Sequence, residues 1–121
     1  MIKNWFIQMA ISFAMRQIAK WQSQIDWAKV KADLAARVAA LVPGEWLDSE
    51  AVSVCNAVID AVAAALSATS DLEKIVKFLA DQKFDEAWQA LRDLILSVWV
   101  PSSPAELKVF ACVKDCEKLA A

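Results

Sequence analysis

The sequence predicts an all-α chain, a bundle of five or six helices, on three observations. Breakers are scarce: one glycine and three prolines stand in 121 residues, at Pro43-Gly44, Pro101 and Pro104, and none precedes residue 43. Apolar residues recur at helical spacing, and no segment sustains strand alternation. Helix-start signals sit where the apolar stripes begin. Hydrophobic residues make up 59% of the chain, but many of them are alanine, the best helix former, so high hydropathy fits close helix packing. One domain is expected over residues 1–121, with residues 101–104 as the connector before the last helix.

The first helix is expected over residues 2–20. Asn4, Gln8, Ser12, Arg16 and Lys20 recur at a stride of four and form one narrow polar ridge. Trp5, Phe6, Ile7, Met9, Ile11, Phe13, Met15 and Ile18 cover the rest. A helix apolar around most of its circumference must be surrounded. The first expectation is a central core helix, and the next is an interface between subunits.

The second helix is expected over residues 24–41, with Ser23 as N-cap and Asp26 three residues later. Trp27, Val30, Leu34, Val38 and Leu41 form its stripe, while Lys29, Asp33 and Arg37 are spaced for i,i+4 pairing outside. With no Gly or Pro at residues 21–24, one long kinked helix is the alternative, ended in either case by Pro43-Gly44.

The third helix, residues 49–68, starts at an Asp48 cap with a Leu47–Val52 hydrophobic staple. Val52, Cys55, Ile59, Val62 and Leu66 form one face, and Ala57, Ala61, Ala64, Ala65 and Ala68 form a face that permits close approach. Ser53, Asn56, Asp60 and Ser67 make a polar seam.

The fourth helix, residues 71–80, opens on the Ser70-Asp71-Leu72-Glu73 capping box. A turn at residues 81–83 leads to the fifth, residues 84–99, with Phe84, Trp88, Leu91, Ile95 and Trp99 as its stripe. The sixth, residues 104–119, has a Ser103 cap, Pro104 at its first position and Glu106 three after the cap. Phe84-Asp85-Glu86-Ala87 resembles the start of a tetratricopeptide repeat's first helix. The resemblance covers about 25 residues with no second copy 34 residues away, whereas a solenoid needs several repeats. It implies a helical hairpin over residues 72–96 and no family function.

Composition narrows chemistry. The chain has no histidine, which excludes the usual triads and most zinc sites. One glycine cannot build a phosphate-cradling loop. No cofactor, metal or catalytic residue is expected. Cys55 reads as a buried thiol, while Cys112 and Cys116, four apart, read as core, as a redox or intersubunit pair, or as half a metal site. Three cysteines cannot all pair internally, which favours a reducing cytoplasm or an assembled particle over secretion. Asp60 interrupts the most apolar stretch, and the seam around it predicts a solvated carboxylate. Net charge is −2 and no basic run stands apart, so nucleic acid is not an expected partner.

Residues 4–15 lack charge but are too short to cross a bilayer, which takes about 20 residues. They also lack the small-residue cleavage site of a signal peptide. Residues 51–70 hold one charge but five polar residues, so neither stretch makes a convincing span. Six tryptophans exceed what one small core obviously needs. Trp is enriched at interface hot spots and membrane interfaces. Trp5, Phe6, Met9, Phe13, Trp21, Trp46 and Trp99 are the interface candidates. The expected function is therefore a tryptophan-rich, non-enzymatic structural protein that forms a homo-oligomer or joins a larger assembly. Small helical proteins of this type commonly serve viral assembly, in phage or mobile elements. The alternative is a membrane-associated protein anchored by its first helix, with Lys3, Arg16 and Lys20 near headgroups.

Overall fold

The computed structural model describes residues 4–41, 49–67 and 72–119, and for Asn4, Trp5, Ser23, residues 38–41 and residues 49–51 the backbone alone. Six α-helices follow one another, and no strand occurs among the described residues: α1 Asn4–Trp21, α2 Trp27–Leu41, α3 Ser49–Ser67, α4 Leu72–Ala80, α5 Phe84–Val98 and α6 Pro104–Asp115. Pro43-Gly44, Trp46, the Asp48 cap, the staple partner Leu47 and the Ser70-Asp71 box lie outside the described residues.

α3 takes the middle of the bundle, packing against α1, α2, α5 and α6. Its composition explains this. Val54, Ala57, Val58, Ile59, Ala61, Val62 and Ala65 are all buried, and the alanines bring neighbouring backbones close. Val52, expected on the apolar face, is instead exposed. The expected polar seam is present, with Ser53, Asn56, Asp60 and Ser67 all exposed.

α1 is a core helix beside α3 rather than the centre itself. Phe6, Ile7, Ala10, Ile11, Phe13, Ala14, Met15 and Ile18 are buried. The predicted polar ridge does not stay in solvent along its length: Ser12 is buried and Gln8 half-buried, while Arg16 and Lys20 are exposed. α2, α4 and α6 also pack against α1.

α1 and α2 are separate helices. A short 3-10 turn at Gln22–Gln24 breaks them, with Gln22 at φ 55 and Ile25 extended. That left-handed conformation costs a non-glycine residue about 1 kcal/mol. The expected Ser23 cap is corrected to Asp26, because the turn consumes residues 22–24. The Asp26 Oδ1 accepts from the backbone N–H groups of Ala28 at 3.1 Å and Lys29 at 3.3 Å.

α4 and α5 form the expected hairpin. Gln82 takes φ 61, the Gln82 N–H donates to the Leu79 carbonyl and the Lys83 N–H donates to the Phe78 carbonyl, a Schellman ending made without glycine. α6 opens on a full capping box: the Ser103 Oγ accepts from the Glu106 N–H at 3.1 Å, and the Glu106 Oε1 accepts from the Ser103 N–H at 3.2 Å.

α6 stops at Asp115, four residues short of the expected end. Cys116 leaves the helix, and side chains from α5 take up the carbonyls there. The Trp88 Nε1 donates to the Cys116 carbonyl at 3.0 Å, the Arg92 Nε to Val113 at 3.0 Å, and the Arg92 Nη2 to Lys114. The Gln89 side chain donates to the Glu117 carbonyl. These donors satisfy groups that a helix end leaves orphaned.

Candidate functional site

α1 and α2 run antiparallel, and two cation–ring contacts fix their register. Arg37 lies 5.3 Å from the Phe13 ring centroid, and the Lys29 Nζ lies 5.2 Å from that of Trp21. Lys20 places its Nζ 5.2 Å from the same Trp21 ring. The Trp21 Nε1 donates to the Gln17 Oε1 at 3.2 Å, one turn back. Because the backbone turns sharply after Trp21, the indole stands at the corner of the hairpin, 39% exposed. Exposed cation–π contacts contribute about 0.5–1 kcal/mol each, enough to orient the ring without burying it.

A cleft of about 190 Å³ opens beside it, lined by Gln17, Trp21, Gln24, Asp26, Lys29, Val30 and Asp33. An aromatic anchor inside a polar rim is the composition of an interface hot spot. Arg16, Lys20, Lys29 and Arg37 are exposed on this hairpin. Lys31 is spent elsewhere, its Nζ 2.6 Å from the Asp60 carboxylate on α3. Asp60 is therefore a solvated, paired carboxylate, as the seam predicted.

A second recess, of about 430 Å³, lies between α4, α5 and the C-terminal tail. Phe78 and Ala90 give it apolar surface, and Asp85, Glu86 and Asp93 give it carboxylates. Gln89, Lys74 and Lys118 complete it, with the Lys74 Nζ 6.0 Å from the Phe78 ring centroid.

Of the interface candidates, Phe6, Phe13 and Trp99 are occupied by the chain's own core. Trp99 also meets Phe110 at a centroid distance of 6.4 Å. Met9 is half-buried against that core. Trp21 is exposed; the Trp5 side chain and Trp46 lie outside the described residues. Sequence reasoning passed over Val100 and Leu107, 81% and 56% exposed around the α5–α6 connector. Their signal was their place beside Pro101 and Pro104, where no stripe claims them.

The cysteines are buried thiols. Burial pushes Cys55 up to about 11, and burial, reinforced by Cys116 and Asp115, does the same to Cys112. Burial also raises Cys116, against the opposing pull of the Lys118 backbone and Arg92. The Cys116 Sγ donates to the Lys118 carbonyl at 3.0 Å. Neutral thiols are poor nucleophiles and poor ligands. Among the described residues no three His, Cys, Asp or Glu side chains are grouped to hold a metal. No single helix there is long and apolar enough to cross a membrane; Val52–Ser67 and Leu72–Ala80 together reach the length but are bent by 109°.

Comparison with family models, curated proteins and solved structures finds no match for this chain.

Proposed function

We propose that this chain is a structural interaction protein that associates with copies of itself and, through them, builds a larger assembly. The observation that carries the reading is Trp21: an exposed indole held by two ammonium groups over an open cleft with a polar rim. Trp is among the residues that contribute most at protein–protein contacts, and the cation contacts pre-orient this one, which lowers the ordering cost of binding. Light scattering and native mass spectrometry at rising concentration test it. Species larger than a monomer are expected for the chain and are strongly reduced for Trp21→Ala; a strict monomer at high concentration sinks the proposal.

Interfacial membrane binding is the second reading, favoured by the same grouping of an indole with Lys20 and Lys29. It is weakened by the burial of Phe6 and Phe13, which removes two aromatic rings expected to insert. Flotation with anionic liposomes separates the two: recovery of the chain with the vesicles, lost in Trp21→Ala, favours the membrane.

A further inference from the structure

We infer that the contact between copies lays α2 of one chain along α4 of another, with the charges of the two helices in register. The inference rests on the self-association reading and names the partner surface.

α2 carries Lys29, Asp33 and Arg37 at a stride of four. α4, with the residue that follows it, carries Glu73, Lys77 and Asp81 at the same stride. Residues four apart share one face of a helix, so α2 presents plus, minus, plus and α4 presents minus, plus, minus. A rise of about 1.5 Å per residue spreads each set over about 12 Å. Asp81 keeps a helical position although α4 ends at Ala80, because its N–H donates to the Lys77 carbonyl at 3.0 Å. All six residues are exposed. Among the described residues none of the six enters an ion pair within the chain, whereas nearby Lys31 is paired with Asp60.

Laid side by side, the two faces make three pairs of opposite charge. The sign pattern reads the same from either end, so Asp33 meets the partner's Lys77 whichever way the helices run. Two copies of α2 in the same register, or two of α4, would set like charge on like charge at all three positions. Ala32 and Ala36, exposed on the adjoining ridge of α2, leave room for a helix to approach. Lys74 stands off the α4 set, its Nζ 6.0 Å from the Phe78 ring centroid. The α2 set begins at Lys29, whose Nζ lies 5.2 Å from the Trp21 ring centroid, so a helix along it passes the exposed indole. Exposed ion pairs add little affinity but select partner and register, while the indole supplies the apolar anchor.

The test reverses the central pair. Asp33→Lys sets a cation against Lys77, and Lys77→Asp sets a carboxylate against Asp33; circular dichroism checks that each variant folds as the unaltered chain does. Each single variant is expected to lose at least tenfold in association by light scattering at low ionic strength, where surface charge is least screened. Mixing the two restores association, because an all-cationic α2 then meets an all-acidic α4. Asp33→Lys with Lys77→Asp in one chain restores it as well. If a central variant does not fold, reversal of the outer charges replaces it: Lys29→Glu with Arg37→Glu in one chain, and Glu73→Lys with Asp81→Lys in the other, with the same loss and the same recovery on mixing. Undiminished association of either single variant overturns the α2–α4 contact, as does failure of both the mixture and the double variant to recover. Association that is lost in Trp21→Ala but unmoved by the charge variants leaves self-association standing and removes this contact. An unaltered chain that stays monomeric at high concentration removes both.

Discussion

Trp88 and Trp21 are the same side chain put to opposite uses. Trp88 is 0% exposed and its Nε1 reaches 28 residues along the chain to the Cys116 carbonyl. Trp21 is 39% exposed and its Nε1 reaches four residues back to Gln17. The first bond closes a tertiary contact in a dry environment, where losing a partner is costly. The second only orients a ring on the surface. The carbonyls at the end of α6 are taken up by donors from α5, whereas the α1–α2 corner leaves its indole and cations exposed.

That contrast predicts very different costs for mutation. Trp88→Ala is expected to destabilise the chain by about 3–5 kcal/mol, since it removes a fully buried ring and the bond to Cys116. Urea denaturation measures this, and Trp88→Phe separates the hydrogen bond from the volume. Arg92→Met should cost about 1–2 kcal/mol by stripping donors from the end of α6. Amide exchange should then speed up around residues 113–116; an unchanged rate there would show that the tail is held by packing alone.

Ser103→Ala should cost about 1 kcal/mol through loss of the α6 cap. The same box gives an acid signature. The Ser102 N–H and hydroxyl, with the Ser103 donors, hold the Glu106 carboxyl below the ordinary range. A pKa lowered on folding means stabilisation present above the ordinary Glu value and lost as pH falls through the lowered one. The stability difference between the chain and Glu106→Gln should shrink accordingly on acidification.

The thiols give a weaker alkaline signature. Cys55 and Cys112 are raised from 9.0 to about 11, so their contribution is intact below pH 9.0 and lost as pH rises toward 11. Tm should fall over that interval, and less so in Cys55→Ala with Cys112→Ala. The smallest effect on stability belongs to Trp21→Ala, about 0.5–1 kcal/mol. Its effect should be on association instead; a loss of stability comparable to that of Trp88→Ala would erase the distinction between the two regions.

Much of the fold was legible because helix signals are local. The Ser103–Glu106 box spans four residues and reads directly from sequence. The α5 stripe of Trp88, Leu91 and Ile95 is buried as its spacing requires. A break between residues 20 and 24 was expected, with one kinked helix as the alternative, but its form was not legible, because a glutamine rather than a glycine takes the left-handed turn. Nor was the early end of α6, which depends on donors supplied from α5. The site was half-legible. Trp21 was singled out by its place at a helix end, but Trp99 shared that signal and is buried at 8% exposure. A further signal lay in charge. Residues 1–41 carry six Lys or Arg against two Asp, while the remainder carries thirteen Asp or Glu against seven Lys or Arg. Both signs are mixed within each part, so no single basic run announces that asymmetry.

By itself the sequence determined that this protein is helical, where most helices lie, and how α6 begins, because spacing and caps act within a turn or two. Only the tertiary structure decided that α3 rather than α1 sits in the middle, which tryptophans are buried, and that α6 ends early under donors from α5. Those outcomes depend on which stripes meet, and close packing and long-range hydrogen bonds settle that between residues far apart in the chain.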